Sequence, residues 1–391
     1  MQEVRKWQVL KWLPSLFFVK GLLHVLLFVV MLIMLRQTGM SVAETTLSIS
    51  LLYLPWVTKW LWKPRVLDVL NCRHWILLME LLLVPAFWVL TFVITETAQT
   101  LALLFVIACF TAIHNVSADE FFRQTHTEDE AHGLFTVREL ARKTADVFGI
   151  GLLVMFVGNL QVIYRFAQLY SWRVMAYIVS TLLLLLFFWH LLNLPQHRNN
   201  DEVEENGAIS VSDAVFLVGY ILVPTMVSKL SVLFLVENQS AGGIGLSPQE
   251  FGFVMGTIGV LGVTIGITRG MKLFEHYGTE RLLKPLAILM VLPAFVYSLL
   301  SSFLPDSLMI VCLCVFLEQT AYGFGISLYI KRLKKNDVSK SIMAASMMIG
   351  CALSGLLESQ MGFSNAFLFI LFLEVFTIGV SIYILQTRYC K

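Results

Sequence analysis

The feature that most constrains this chain is a succession of apolar runs, repeated from one end of it to the other. A helix that crosses about 30 Å of hydrocarbon, rising about 1.5 Å per residue, needs about twenty mostly apolar residues. Such runs fall near 12–35, 43–62, 74–94, 98–122, 138–158 and 170–194, and again near 213–236, 248–268, 282–304, 307–330, 340–361 and 364–385. The links between them are short and carry Pro, Gly, Asn or charge, as helix boundaries do. The pattern predicts an all-α polytopic membrane protein with twelve spans. Composition enters as a check. Of the 391 residues 58% are apolar and 14% charged, whereas soluble domains carry roughly a quarter charged residues. With 28 basic and 26 acidic side chains, there is no electrostatic footprint for nucleic acid.

Orientation follows from lysine and arginine, which accumulate on the cytoplasmic side. With the amino terminus inside, 23 of the 28 basic residues fall on that side. Arg36, Arg165 and Arg173 fall outside, and Lys20 and Lys229 stand within spans. An even number of spans returns the carboxy terminus to the cytoplasm, so both termini are expected there. The first run is too long for a signal-peptide core and lacks a small-residue cleavage site. The longest charged stretch, Gln196 to Asn206, divides the chain in the middle. The expected organisation is a six-helix bundle over 1–195, a cytoplasmic linker over 196–212 and a second six-helix bundle over 213–391. A weak echo joins the halves: Lys63-Pro-Arg-Val-Leu-Asp68 follows span two, and the charged turn Glu275 to Arg281 follows span eight. Two pseudo-symmetric bundles of six are the layout of the major facilitator fold.

Ionisable side chains inside hydrocarbon are costly and face a partner or a water-filled cavity, so they point to function. Span four ends in Thr111-Ala-Ile-His114-Asn115-Val-Ser-Ala-Asp119-Glu120. Thr111, Asn115 and Asp119 are four apart and share one helical face, with His114 at its edge. Asp119 is a candidate proton acceptor; the alternative is that Asp119 and Glu120 clasp Arg123, Arg138 or Arg142. Glu318 lies near the middle of span ten, followed by Gln319 and, one turn on, Tyr322. It is the second proton-coupling candidate, with a buried pair to Lys229 as the alternative. Lys229 shares a polar patch with Ser228 and Ser231 in span seven, downstream of Tyr220 and of Pro224, whose ring breaks helical hydrogen bonding. It is placed either to hold an anionic substrate group or to neutralise Glu318. Lys20 and His24, one turn apart in span one, form a second basic patch unless Lys20 snorkels to water. Glu358 and Glu374 are weaker candidates, near a span end or isolated. Substrate-binding candidates are therefore Asn115, His114, Lys229, Ser228, Tyr322, Gln319, Tyr220 and His24, and cytoplasmic gate candidates are Asp68, Arg138 and Arg142.

The remaining motifs argue for packing. Gly252, Gly256, Gly259, Gly262 and Gly266 recur every three or four residues and mark a close helix contact in span eight. Trp12, Trp60, Trp62, Trp75 and Trp172 near span ends are interfacial anchors. The six cysteines fall mostly in apolar runs without metal-ligand spacing and read as small packing residues. No nucleotide motif, metal cluster or nucleophile triad is present, so the chain is expected to be no enzyme and to need no cofactor. Without an ATPase domain, transport of a solute would be secondary or facilitated.

Leu61-Trp62-Lys63-Pro64 with Asp68 resembles the Leu-Trp-x-Pro-x-x-Asp signature of AmpG-type permeases, major facilitator proteins that include muropeptide permeases and acetyl-coenzyme A transporters. Ala112-Ile-His114-Asn115-Val-Ser-Ala-Asp119 resembles the group's span-four motif, Ala-x-Gln-Asp-x-x-x-Asp. Glu318-Gln319 with Tyr322-Gly-Phe-Gly325, and Leu246 to Phe253, look like the same branch. The resemblance implies proton-coupled import across the bacterial inner membrane, with protons, membrane lipid and a sugar-peptide as partners. The implied substrate is a disaccharide of N-acetylglucosamine and anhydro-N-acetylmuramic acid, with or without peptide. Two departures stand out: Asn115 replaces an aspartate, and the acidic residue expected in span seven is replaced near Pro224. Siderophore import is the alternative within the same superfamily; a non-transporting sensor or a membrane enzyme using His114 and Asp119 is the alternative of another class. A facilitator of this size is expected to work as a monomer.

Overall fold

The computed structural model describes residues 2–126, 133–196, 209–332 and 337–389. Among the described residues ten helices are long and apolar enough to cross a membrane: α1 Val9–Gln37, α3 Cys72–Val93, α4 Thr97–Thr125, α5 Phe135–Val162, α6 Gln168–Asn193, α7 Val211–Val236, α8 Pro248–Tyr277, α9 Arg281–Phe303, α10 Leu308–Ile330, and a last one over Asp337–Ile384. The last has 48 residues, but Gly362 inside it has φ 73 and ψ 169, off any helical conformation. It is two of the expected spans, α11 (337–361) and α12 (363–384), joined at a glycine whose left-handed φ an L side chain would resist. The remaining span is the shorter helical segment α2, Val42–Val57.

Span two was expected over 43–62 as one helix; it is instead interrupted. Helix Val42–Leu51 stops, a turn of helix Leu54–Val57 follows, and Lys59–Val69 makes a separate helix. Pro55 accounts for the break, since its ring clashes with the carbonyl four residues back and donates no hydrogen bond. Pro224 acts more mildly than its residue type suggests, because α7 runs through it. The Thr225 hydroxyl donates to the Ile221 carbonyl at 2.7 Å beside it.

Contacts group the chain into two compact units, 1–38 with 58–205, and 39–57 with 206–391. The expected linker over 196–212 lies mostly outside the described residues. In the second unit α2 is held by α11: a side-chain carbon on Gly355 would come within 2.0 Å of Thr46 Oγ1, and Cys351 Sγ donates to the Thr46 carbonyl at 3.3 Å. Helix starts carry an internal echo. Ser41 with Glu44 at the start of α2, and Ser247 with Glu250 at the start of α8, each form a reciprocal capping box, which satisfies amide groups otherwise left open at a helix start.

Inside the first unit, α3 packs on α4 and α6, and α1 on α5. Trp12, Phe17, Phe121 and Phe122 form its aromatic core, with Trp12 edge-on to Phe121 at 5.3 Å. Arg73 caps α6 by donating to the carbonyls of Leu191 and Leu194 at 3.0 and 3.2 Å. Inside the second unit, α8 and α10 approach until glycine meets backbone. A side-chain carbon on Gly266 would lie 2.2 Å from the Thr320 carbonyl oxygen, and one on Gly323 2.5 Å from that of Val263. The glycine periodicity of span eight thus serves close packing against the helix that carries Glu318.

Candidate functional site

In the first unit two polar clusters lie among α1, α3, α4, α5 and α6. The outer one centres on Asp119 of α4. Its carboxylate bonds to the Lys20 ammonium of α1 and lies 3.9 Å from the Arg138 guanidinium of α5. Arg138 is sandwiched between Phe17 and Phe122, 4.3 Å from each ring centre, where cation–π attraction fixes it. Glu120 takes Arg123 on its own helix and Lys63 at 3.9 Å. The lysine of the Leu-Trp-x-Pro stretch thereby reaches span four. Asp119 and Glu120 thus form a clasp with basic residues, but Lys20, expected as a basic patch or a snorkelling side chain, is the nearest cation. Arg142 instead pairs with Glu139 at 3.1 Å on its own helix. Asp68 is exposed near the end of Lys59–Val69 and makes no ion pair among the described residues. His24 is exposed and tilts on Phe28, with ring centres 4.7 Å apart.

The inner cluster contains two residues that the reading of the sequence passed over. Glu80 of α3 is 0% exposed. Its Oε1 lies 3.1 Å from Nε2 of His114 and 2.7 Å from Nδ1 of His190, on α6. His190 Nε2 continues to the Ser15 hydroxyl of α1 at 2.9 Å. The signal was available, since Glu80 and His190 sit inside apolar runs as Glu318 does. His114 therefore turns from the Thr111–Asn115–Asp119 face toward α3 and α6. Along α4, Thr111 Oγ1, His114 Nδ1, Asn115 Oδ1 and Ser117 Oγ are buried without hydrogen-bond partners.

In the second unit Glu318 is 2% exposed on α10. Its Oε1 accepts from the Tyr297 hydroxyl of α9 and from the Gln319 amide, both at 3.0 Å. A phenol and an amide hold it, not the Lys229 ammonium. Lys229 is buried on α7, with its amine 5.9 Å from the Tyr53 ring centre of α2. Ser228 is exposed on the same helix, while Ser231 donates to its backbone carbonyl at 3.0 Å. Gln319 and Tyr322 are partly buried. Tyr220 departs from its expected role: its hydroxyl donates to the Gly325 carbonyl at 2.9 Å and its ring stacks on Tyr329 at 6.0 Å. That fully satisfied ring belongs to the core around Phe216, Leu286 and Met290. Glu374 of α12 is 0% exposed, and neither of its carboxylate oxygens has a hydrogen-bond partner among the described residues.

No protein-family model and no curated protein matches the sequence. Solved structures do match in fold. The nucleoside transporter NupG aligns with TM-score 0.68 and 12% identity, covering 97% of this chain and 99% of that one. The tetrameric PepTSo2 structure aligns with TM-score 0.72 and 13% identity over 98% of this chain and 97% of that one. A bacterial homologue of the human lysosomal transporter Spinster gives TM-score 0.69, with 13% identity over 98% and 97%. The chain has the all-α polytopic fold of the major facilitator transporters.

Proposed function

We propose that the chain is a secondary active transporter of the bacterial inner membrane, importing a cell-wall muropeptide with protons by alternating access. The observation that carries this reading is the setting of Glu318. It is a buried carboxylate at the middle of a span, held by neutral donors and by no cation among the described residues. Protonation removes a whole charge from such a site, which lowers the cost of moving it through an apolar interior. A carboxylate inside an ion pair gains no such relief, because its cation is then left alone.

The other side chains take roles that fit this scheme. Lys229, with Ser228, Gln319 and Tyr322 in the same unit, supplies charge and hydrogen bonds for a carboxylate-bearing sugar-peptide. In the first unit, Asn115 and His24 are the further substrate-binding candidates. Asp119 with Lys20 and Arg138 is a clasp at the cytoplasmic end of α4, opened and closed in the transport cycle, and Asp68 and Arg142 are the further gate candidates of this unit. Both termini are cytoplasmic and the protein works as a monomer. The choice of muropeptide rests on the AmpG-type resemblance of 61–68 and 112–119.

The test is uptake into proteoliposomes under an imposed inward proton gradient, comparing a labelled anhydro-muropeptide with a ferric siderophore. Accumulation of the muropeptide, collapsed by a protonophore, is expected. Accumulation of the siderophore alone would replace the substrate and keep the mechanism. Uptake indifferent to the protonophore would remove proton coupling.

A further inference from the structure

Hydrogen-bond direction fixes where the protons sit in the inner cluster of the first unit. A carboxylate only accepts, so both imidazole nitrogens that face Glu80 carry hydrogen: Nε2 of His114 and Nδ1 of His190. The Ser15 hydroxyl has one proton, and it lies 3.0 Å from the Trp12 carbonyl and 2.9 Å from His190 Nε2. A carbonyl has no hydrogen to give, so a hydroxyl that donates to Trp12 must accept from His190. With Glu80 ionised, all bonds are satisfied together when His190 is an imidazolium, donating from Nδ1 to Glu80 and from Nε2 to Ser15. If His190 loses that proton, Ser15 turns its hydroxyl to the freed Nε2 and releases Trp12. His114 Nδ1 is fully buried and has no hydrogen-bond partner among the described residues.

We infer that Glu80, His114 and His190 form a proton-binding site in the first unit, with His190 holding the proton between Glu80 and Ser15 and His114 donating to the same carboxylate. The inference rests on the transport reading only for what the proton then does. Ser15 is the polar group that faces the cluster from α1, and no other charged side chain among the described residues acts on Glu80. The charges of α5 are used elsewhere: Arg138 on Asp119, Arg142 on Glu139 and Lys143 on Asp146. Lys20 of α1 is on Asp119. Three of the four ring nitrogens are spent on one carboxylate and one hydroxyl, and no metal site of three or more ligands forms among the described residues.

The experiment is nitrogen-15 NMR of the histidine side chains in the full-length protein, purified into lipid nanodiscs without substrate. Wild type is expected to show at neutral pH an imidazolium signal that is lost in His190→Gln and in Glu80→Gln. Ser15→Ala, which keeps the carboxylate and both rings, is expected to weaken the same signal. Equal imidazolium content in wild type, His190→Gln and Ser15→Ala overturns the site, whatever the protein transports. Because no solute is present, a protein that shows these signals yet accumulates no solute overturns the transport reading and leaves the site standing.

Discussion

Glu80, Asp119 and Glu120 of the first unit and Glu318 and Glu374 of the second keep opposite company. In the first, Glu80 lies between two imidazoles, Asp119 beside Lys20 and Arg138, and Glu120 beside Arg123 and Lys63. In the second, Glu318 has a phenol and an amide, and the Glu374 carboxylate has no hydrogen-bond partner among the described residues. Charge matched by charge holds helices together and resists change, since losing either member strands the other in low dielectric. Charge met only by neutral dipoles, or by nothing, can be cancelled by one proton without leaving a cation behind. The first arrangement suits a clasp or a proton store, and the second suits a group that is loaded and emptied as the molecule cycles.

The comparison breaks most visibly where α10 is seated. Gly266→Leu should push α8 off α10, because its first side-chain carbon would meet the Thr320 carbonyl at 2.2 Å. Overpacking of this kind costs about 1–3 kcal/mol, and backbone cannot step aside, so folded yield on size-exclusion chromatography should collapse. Normal yield would show that the glycine contact is dispensable. Next come paired substitutions in the two units. Glu80→Leu should lower thermal stability by about 1–3 kcal/mol, since two buried imidazole donors lose their acceptor. Glu374→Leu should leave stability unchanged or raise it, because its carboxylate makes no bond to lose. Equal destabilisation by both would erase the contrast between the units.

Smaller effects sharpen it. Lys20→Gln and Asp119→Asn should each slow uptake, and the double variant should be no slower than the worse single one, since both remove the same bond. Additive losses would separate the two residues. Lys229→Ala should weaken binding of anionic cargo more than neutral cargo, and equal weakening would take Lys229 out of the binding site. Tyr220→Phe should cost about 1 kcal/mol of stability through its lost bond to Gly325, with cargo affinity unchanged.

The spans were legible because the apolar runs are long and their separators charged or rich in Gly and Pro. Gly362 falls in the gap expected between the last two helices, although backbone hydrogen bonding carries one helix through it. The break in span two at Pro55 was missed, since an apolar run of that length reads as one helix whatever interrupts it. Glu318 was legible from its depth alone, and its partner Tyr297 was not, because nothing in a sequence pairs two helices at one height. For the same reason His114 was read by its neighbours on α4, when its bond runs to Glu80 on α3. Tyr220 was misplaced by a residue type that suits both a binding site and a core, and only the Gly325 carbonyl separates the two. Glu80 and His190 obeyed the rule that selected Glu318 and should have been selected with it.

The most direct measurement of the central claim compares wild type with Glu318→Gln in proteoliposomes, by solute counterflow and by accumulation under an inward proton gradient. Counterflow needs the alternating conformations but no net proton movement. Glutamine keeps the shape of the side chain and an oxygen that can accept from Tyr297. The account predicts that Glu318→Gln retains counterflow and loses gradient-driven accumulation. Accumulation at the wild-type level by that variant would contradict it, and would leave Glu318 a structural partner of Tyr297.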